Sequence, residues 1–126
     1  MILSLLDGKS PTIPIGGLVL DYSYVKDIAG AFAALLDSDV TDTINIASGN
    51  PISLKQMALT IAEMLGKQEL VRDINDVKPS TGPSRVIADI HRLRDEVKWL
   101  PRFTLEEGLH QTIDWWKKDA NTSEGA

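Results

Sequence analysis

Residues 43–66, TINIASGNPISLKQMALTIAEMLG, contain the strongest local structural signal in the chain. Ser53 and Gln56 have the spacing of a capping box, which satisfies free N–H groups at the start of a helix. Gly66 stands where a glycine commonly ends a helix in the left-handed conformation. The apolar residues between them recur with helical spacing and predict an amphipathic helix: Leu54, Met57, Ala58, Ile61, Ala62 and Leu65.

Short segments with β-sheet character lie on both sides of this helix. Residues 42–48 are rich in β-branched side chains and are followed by Gly49-Asn50-Pro51, which predicts a strand and a turn. Residues 69–74, ELVRDI, predict another strand. Residues 12–20, TIPIGGLVL, predict strand–turn–strand or extended structure.

A second helix is predicted before the 43–66 segment. Asp27 is a suitable N-cap for an Ala- and Leu-rich helix that ends near Asp37. Gly30 weakens this helix by about 1 kcal/mol relative to alanine. Such a glycine is typical of close packing against a neighbouring backbone.

Two more helices are predicted towards the end of the chain. Asp89 is a candidate cap for a short helix with an apolar face formed by Ile90, Leu93 and Val97. Thr104 and Glu107 form a second capping box. The helix that they begin has an apolar side with four members: Leu105, Leu109, Ile113 and Trp116.

The chain therefore alternates strands with helices and predicts an α/β fold. Only about three short strands are present, and a parallel sheet of that size rarely exists alone because both of its faces need cover. We expect residues 1–118 to be part of a larger fold and residues 119–126 to be a disordered polar tail. Residues 75–84 predict a polar loop.

Composition excludes several classes of function. The 126 residues have a net charge of −5 without a basic stripe, which disfavours nucleic-acid and anionic-membrane binding. The absence of cysteine excludes disulfides and thiolate sites. Two histidines, His91 and His110, are too few and too far apart for a typical metal site, and we expect both at the surface. No signal peptide or membrane span is visible, so a cytoplasmic location is predicted.

Tyr22 and Lys26 have the Tyr-x-x-x-Lys spacing that serves proton transfer when both residues lie on one helix face. Here Lys26 directly precedes the predicted N-cap Asp27. Both residues should then lie in extended chain, with roughly 13 Å between them. The spacing therefore indicates coincidence rather than an active site.

Three strings in order resemble extended short-chain dehydrogenases/reductases, the NAD(P)-dependent epimerase/dehydratase family. They are DYSYVKDIA (21–29), TINIASGNPISLKQMALTIAEMLG (43–66) and ADIHRLRDEVKWLPRFTLEEGLHQTIDWW (88–116). The resemblance implies the C-terminal, substrate-binding portion of a Rossmann-type protein, with strand 43–47 completing the parallel sheet of an N-terminal half.

The same resemblance implies where the chemistry of the parent protein resides. The family places its glycine-rich dinucleotide fingerprint and its catalytic Tyr-x-x-x-Lys upstream of the segments that this chain resembles. Neither motif is found in this sequence in the position that the family uses. We expect NAD or NADP in the parent, no cofactor on this chain and no activity of the chain alone. The implied partners are the N-terminal half, a sugar nucleotide or similar carbonyl compound, and a second copy of the parent in a homodimer.

Four residues are candidates for contact with substrate. Tyr22 and Tyr24 are packing or pocket residues, and Lys78 and Arg85 are the cations nearest to the positions where relatives clamp a diphosphate with arginines. One such family arginine is replaced by Leu20. This departure leaves a smaller or less charged carbonyl substrate open, and a non-enzymatic interaction module is the rival class.

The remaining polar and aromatic candidates have structural interpretations. Asp21 is expected to accept backbone N–H groups near a turn. The three tryptophans, Trp99, Trp115 and Trp116, are expected to anchor packing.

Overall fold

The computed structural model describes residues 1–12, 18–71 and 84–123. Five α-helices and three short strands follow one another as α1 (Ile2–Leu6), β1 (Val19–Asp21), α2 (Val25–Leu36), β2 (Pro51–Ser53), α3 (Leu54–Met64), β3 (Arg85–Val86), α4 (His91–Asp95) and α5 (Leu105–Ser123). A short 3-10 turn, Gln68–Leu70, follows α3. The predicted α/β class with a few short strands is confirmed.

The strands form one mixed sheet in the order β2-β1-β3. β1 is antiparallel to β2, with Leu20 opposite Ile52, and parallel to β3, with Val19 opposite Arg85. β2 and β3 were not predicted, because strands of three and two residues have too little sequence to show an alternating pattern. The central strand joins partners that are far apart along the chain.

Both predicted capping boxes begin helices. The Ser53 hydroxyl accepts from the Gln56 N–H at 3.0 Å at the start of α3. The Glu107 N–H donates to Thr104 Oγ1 at 3.2 Å, and Glu107 Oε2 accepts from the Thr104 N–H at 2.8 Å, before α5. As predicted, Gly66 follows the end of α3 in the left-handed conformation, with a φ of +64°, directly after the C-cap residue Leu65.

Helix α2 begins three residues earlier than predicted. Its N-cap is Tyr24, so Asp27 lies in the first turn instead of capping the helix. The Asp27 carboxylate is buried and accepts from the backbone N–H groups of Arg102 and Phe103. Asp27 therefore bonds to a distant segment, which local spacing does not reveal.

Gly30 in the same helix does permit a close approach, but to a side chain rather than to a backbone. A Cβ at Gly30 would lie 3.4 Å from the indole Nε1 of Trp99. Trp99 is buried, as expected of a packing residue.

Two predicted strands are not seen in the described residues. Residues 42–48 form no strand, and the guanidinium of Arg92 donates to the carbonyls of Thr41 and Thr43 at 3.1 and 2.9 Å. β-Branched residues make a strand only where a partner strand is available, and side chains take that place here. Residues 68–70 form the 3-10 turn, and the remainder of the predicted strand 69–74 beyond residue 71 lies outside the described residues.

Two hydrophobic clusters form the core. The α3–α5 cluster contains Leu5, Met57, Ala58, Ile61, Ala62, Val71 and Ile113. The α2–α4 cluster contains Ala31, Leu93, Val97 and Trp99, with Ile44, Ile46 and Ile90 packed against it. Both predicted apolar faces, on the helix after Ser53 and on the helix after Asp89, therefore face the core.

The short helix α1 was not predicted, and it is joined to the end of α3. Lys67 Nζ donates to the carbonyls of Leu5 and Leu6 at 2.6 and 3.0 Å. These carbonyls lie at the C-terminal end of α1, where a positive charge is favourable. Leu5 is fully buried in the α3–α5 cluster.

Helix α5 continues through Ser123 and so includes residues 119–123 of the predicted tail. Lys117 to Ala120 contain no glycine or proline to end the helix. Within the described ranges, no helix is both long and apolar enough to cross a bilayer.

Candidate functional site

A cavity of about 690 Å³ opens beside the α3–α5 cluster. Its walls come from α1, from residues 22–27, from the turn at residues 48–50, from α3, from residues 101–104 and from α5. Most of the lining is apolar: Ile2, Leu54, Met57, Ile61, Phe103, Leu105, Leu109 and Trp116. A concave apolar site of this size is typical of small-molecule binding.

Tyr22 is the lining residue with the clearest perturbation. Burial raises the pKa of its phenol above the ordinary value of 10.0, because the charged phenolate is poorly solvated there. Among the described residues, no hydrogen-bond partner of the Tyr22 hydroxyl is found. Tyr22 therefore offers the cavity a neutral hydroxyl that can donate to a ligand.

Asp21 holds the cavity-lining residue Ser48 in place through hydrogen bonds. Asp21 Oδ1 accepts from the Ser48 N–H at 2.8 Å and from the Ser48 hydroxyl at 2.6 Å. Asp21 Oδ2 accepts from the Gly49 N–H at 2.8 Å. The prediction that Asp21 accepts backbone N–H groups near a turn is confirmed.

Tyr24 lines the cavity but is held by packing. Its hydroxyl donates to Gln111 Oε1 at 2.9 Å, and its ring meets Phe103 edge to face at 5.0 Å. Gly108 makes room for it, since a Cβ there would lie 3.0 Å from the Tyr24 Cβ. The packing role considered for Tyr24 is therefore present in the structure.

Lys26 bonds to the same glutamine as Tyr24. Its Nζ donates to Gln111 Oε1 at 2.8 Å. The prediction that both Tyr22 and Lys26 lie in extended chain is wrong for Lys26, because α2 starts at Val25 and includes it. Tyr22 precedes the helix, so the two residues do not share a helix face.

Of the two predicted cations, Arg85 and Lys78, the structure describes only Arg85. Arg85 lies on β3, is exposed and is not among the residues that line the cavity. Lys78 and nearly all of the loop 75–84 lie outside the described residues. His91 and His110 are exposed, as predicted.

Sequence reasoning missed several members of the cavity wall. Asn50 and the segment 101–104 both contribute to it. Usable signals existed on α3, where Met57 was placed on an apolar face, and on α5, where Leu109 and Trp116 were placed on one apolar side. The others come from a turn and a loop, whose position depends on contacts with distant residues.

The residues that the structure describes include no group of three or more side chains that could hold a metal ion. They also fit a dinucleotide poorly. β1 leads into α2 through Tyr22, Ser23 and Tyr24, and β2 continues directly into α3 at Ser53. Neither strand-to-helix connection has the glycines that let a backbone approach a pyrophosphate.

No protein-family model matches the chain. UDP-glucuronate 4-epimerase of Thermodesulfobacterium geofontis is 32% identical over 104 residues, which make up 79% of this chain and 30% of that protein. The chain spans about three-tenths of the length of the first curated relatives that it matches.

Two solved structures, of an epimerase and of a dehydratase, are also similar to this chain. UDP-N-acetylglucosamine 4-epimerase from Methanobrevibacter ruminantium, in complex with UDP-N-acetylmuramic acid, has a TM-score of 0.77 at 29% identity and covers 94% of this chain and 38% of its own. dTDP-glucose 4,6-dehydratase from Bacillus anthracis, in complex with NAD, has a TM-score of 0.76 at 24% identity over 95% of this chain and 38% of its own.

The helices, the small sheet and the apolar cavity thus define part of a Rossmann-type α/β fold. The matched proteins are extended short-chain dehydrogenases/reductases, and the chain is a relative of that family over most of its length. The resemblance stated from the sequence is confirmed.

Proposed function

We propose that this chain is the substrate-binding part of an NAD(P)-dependent nucleotide-sugar epimerase, dehydratase or related oxidoreductase. The observation that carries the proposal is the apolar cavity, which is lined by residues from all three family-like strings. The parent would transfer a hydride with NAD or NADP bound to an N-terminal half. Because this chain has no dinucleotide fingerprint, it would not turn over substrate alone.

Within this proposal, Tyr22 contacts the substrate. Its hydroxyl is neutral over a wide pH range and has no partner among the described residues, so it can donate to a sugar hydroxyl or a carbonyl. The apolar wall would bury the less polar faces of the ligand.

The direct test uses the protein that contains this chain and UDP-glucuronate as the probe. Tyr22→Phe removes one hydroxyl, and we expect KM to rise about tenfold, as for a lost hydrogen bond to a substrate. Tyr24→Phe is the matched control, because the Tyr24 hydroxyl is bonded to Gln111. Equal KM values for the wild type and Tyr22→Phe would exclude the contact.

Lys78 and Arg85 form a second part of the proposal, as cations at the mouth of the site. Guanidinium groups suit a diphosphate, and we expect Arg85→Ala to raise KM severalfold. Arg94→Ala is the control, since Arg94 is paired with Asp95 on the surface of α4. An unchanged KM in Arg85→Ala eliminates this role.

A smaller, less charged carbonyl compound is the alternative substrate. It is favoured by the cavity itself, because no lysine, arginine or histidine is among the described residues that line it. Comparing kcat/KM for UDP-glucuronate with that for an uncharged aldehyde of similar size separates the two substrate classes.

A non-enzymatic interaction module is the rival function. The outer face of α2 favours it, since Phe32 and Leu36 are exposed there, Leu36 to 87%. The mass of the native protein distinguishes the two: 13.8 kDa would favour the module. A mass larger by some 180 residues of Rossmann type would favour the enzyme.

A further inference from the structure

We propose that Asp27 is a positioning residue that holds the 101–104 wall of the cavity and thereby sets the affinity for substrate. The inference rests on the proposed function for its kinetic part only. Asp27 lies on α2 and itself borders the cavity, whereas the wall that it holds belongs to the segment that leads into α5.

The first observation is the burial of the carboxylate. Asp27 is 3% exposed and is the one buried polar or charged residue among those described. Burial of a carboxylate is costly unless donors satisfy both oxygens. Oδ1 accepts from the Arg102 N–H at 2.8 Å and Oδ2 from the Phe103 N–H at 3.3 Å. No salt bridge to Asp27 is found in the described part of the chain, so these two amides carry its stabilisation.

The second observation is what the two amides belong to. Pro101, Phe103 and Thr104 all line the cavity. The Phe103 ring packs edge to face against Tyr24, which itself begins α2. The carboxylate therefore joins the start of α2 to one side of the cavity, and charge-assisted bonds of this kind fix geometry more firmly than neutral ones.

The third observation is that, among the described residues, these two N–H groups have no other hydrogen-bond acceptor. The capping box of Thr104 and Glu107 bonds only within residues 104–107. Loss of the Asp27 acceptors would leave residues 101–103 tied to the fold by side-chain packing alone. The wall would then sample several positions, which weakens binding without removing a reacting group.

The test compares Asp27→Asn with Asp37→Asn in the protein that contains this chain. Both changes lie at α2, and Asp37 is its exposed C-cap residue. Asparagine keeps the shape of the side chain and one acceptor, but turns an NH₂ group towards an amide donor. We expect Asp27→Asn to raise KM for UDP-glucuronate about tenfold with kcat within about twofold. Asp37→Asn should change neither.

Hydrogen exchange supplies a readout that needs no substrate. In Asp27→Asn, the Arg102 and Phe103 amides should exchange at least about tenfold faster than in the wild type, while amides in the middle of α3 keep their rates. Unchanged exchange overturns the proposal. Faster exchange with an unchanged KM, or a fall in kcat alone, also overturns it.

The two proposals can fail separately. If the wild type turns over no sugar nucleotide, the proposed function fails, and the exchange result alone decides whether Asp27 holds the wall. If Asp27→Asn does not fold, the wild-type rates decide: rapid exchange of the Arg102 and Phe103 amides in the folded wild type would contradict the hydrogen bonds on which the proposal depends.

Discussion

The two hydrophobic clusters are built in different ways. The α3–α5 cluster is formed mainly by the two long capped helices, and several of its residues also face the cavity. The α2–α4 cluster is formed by one helix, a short helix and irregular chain. Polar side chains tie that chain in place: Arg92 bonds to Thr41 and Thr43, and Asn45 bonds to the carbonyl of Asp89. The α3–α5 cluster therefore leaves room for a ligand beside it, and the α2–α4 cluster is a supporting core.

The largest expected difference between the clusters is in the cost of a truncated side chain. Leu93 is 1% exposed in the α2–α4 cluster, and Leu93→Ala should lower the free energy of unfolding by about 3–4 kcal/mol. Met57→Ala should cost only about 2 kcal/mol, because Met57 already borders open space. Urea denaturation of both variants measures the difference. Equal losses would mean that the two clusters are packed equally tightly.

A glycine pair tests how closely the irregular chain packs on the α2–α4 cluster. Gly49 has φ +76°, and a Cβ there would lie 2.6 Å from Ile90 Cδ1. Gly66 has φ +64° with nothing within 4 Å of its Cβ position. Gly66→Ala should cost about 1 kcal/mol for backbone conformation alone, and Gly49→Ala about 2 kcal/mol. If thermal unfolding gives equal losses, Ile90 is not packed as described.

Helix caps should give a smaller effect, confined to the α3–α5 cluster. Thr104→Ala removes the acceptor for the Glu107 N–H and should cost about 1 kcal/mol, and Ser53→Ala a similar amount. Thr104→Ser keeps the acceptor and is the control. A Thr104→Ala protein as stable as wild type would show that water replaces this cap fully.

The smallest effect is a shift in the titration of Tyr22. Burial raises its pKa in the folded state, so the folded protein holds the phenol proton more tightly than the unfolded chain does. Stability from this group is complete below pH 10 and is lost as the pH rises through the folded pKa. The chain has two tyrosines. In Tyr24→Phe, the phenolate absorbance of Tyr22 should appear with a midpoint above 10. A midpoint at 10 would show that the cavity is fully hydrated at this position.

Sequence could predict helices α3 and α5 because their signals are local. Ser53 and Thr104 each lie within one turn of the groups that they cap. Residues 42–48 were predicted wrongly because their structure depends on Arg92, far along the chain. The cavity could not be predicted as a volume, since its walls come from six separate segments. Only its α3 and α5 sides followed a visible pattern.

The bond between Lys67 and the end of α1 bears on the order of assembly. A five-residue helix is not stable by itself, because helix nucleation costs more than a few hydrogen bonds return. The ammonium that closes its last turn comes from the residue after Gly66, and it reaches the Leu5 and Leu6 carbonyls only once α3 has ended in its left-handed glycine turn. We therefore expect the amino-terminal helix to be among the last parts of the chain to fold and among the first to open.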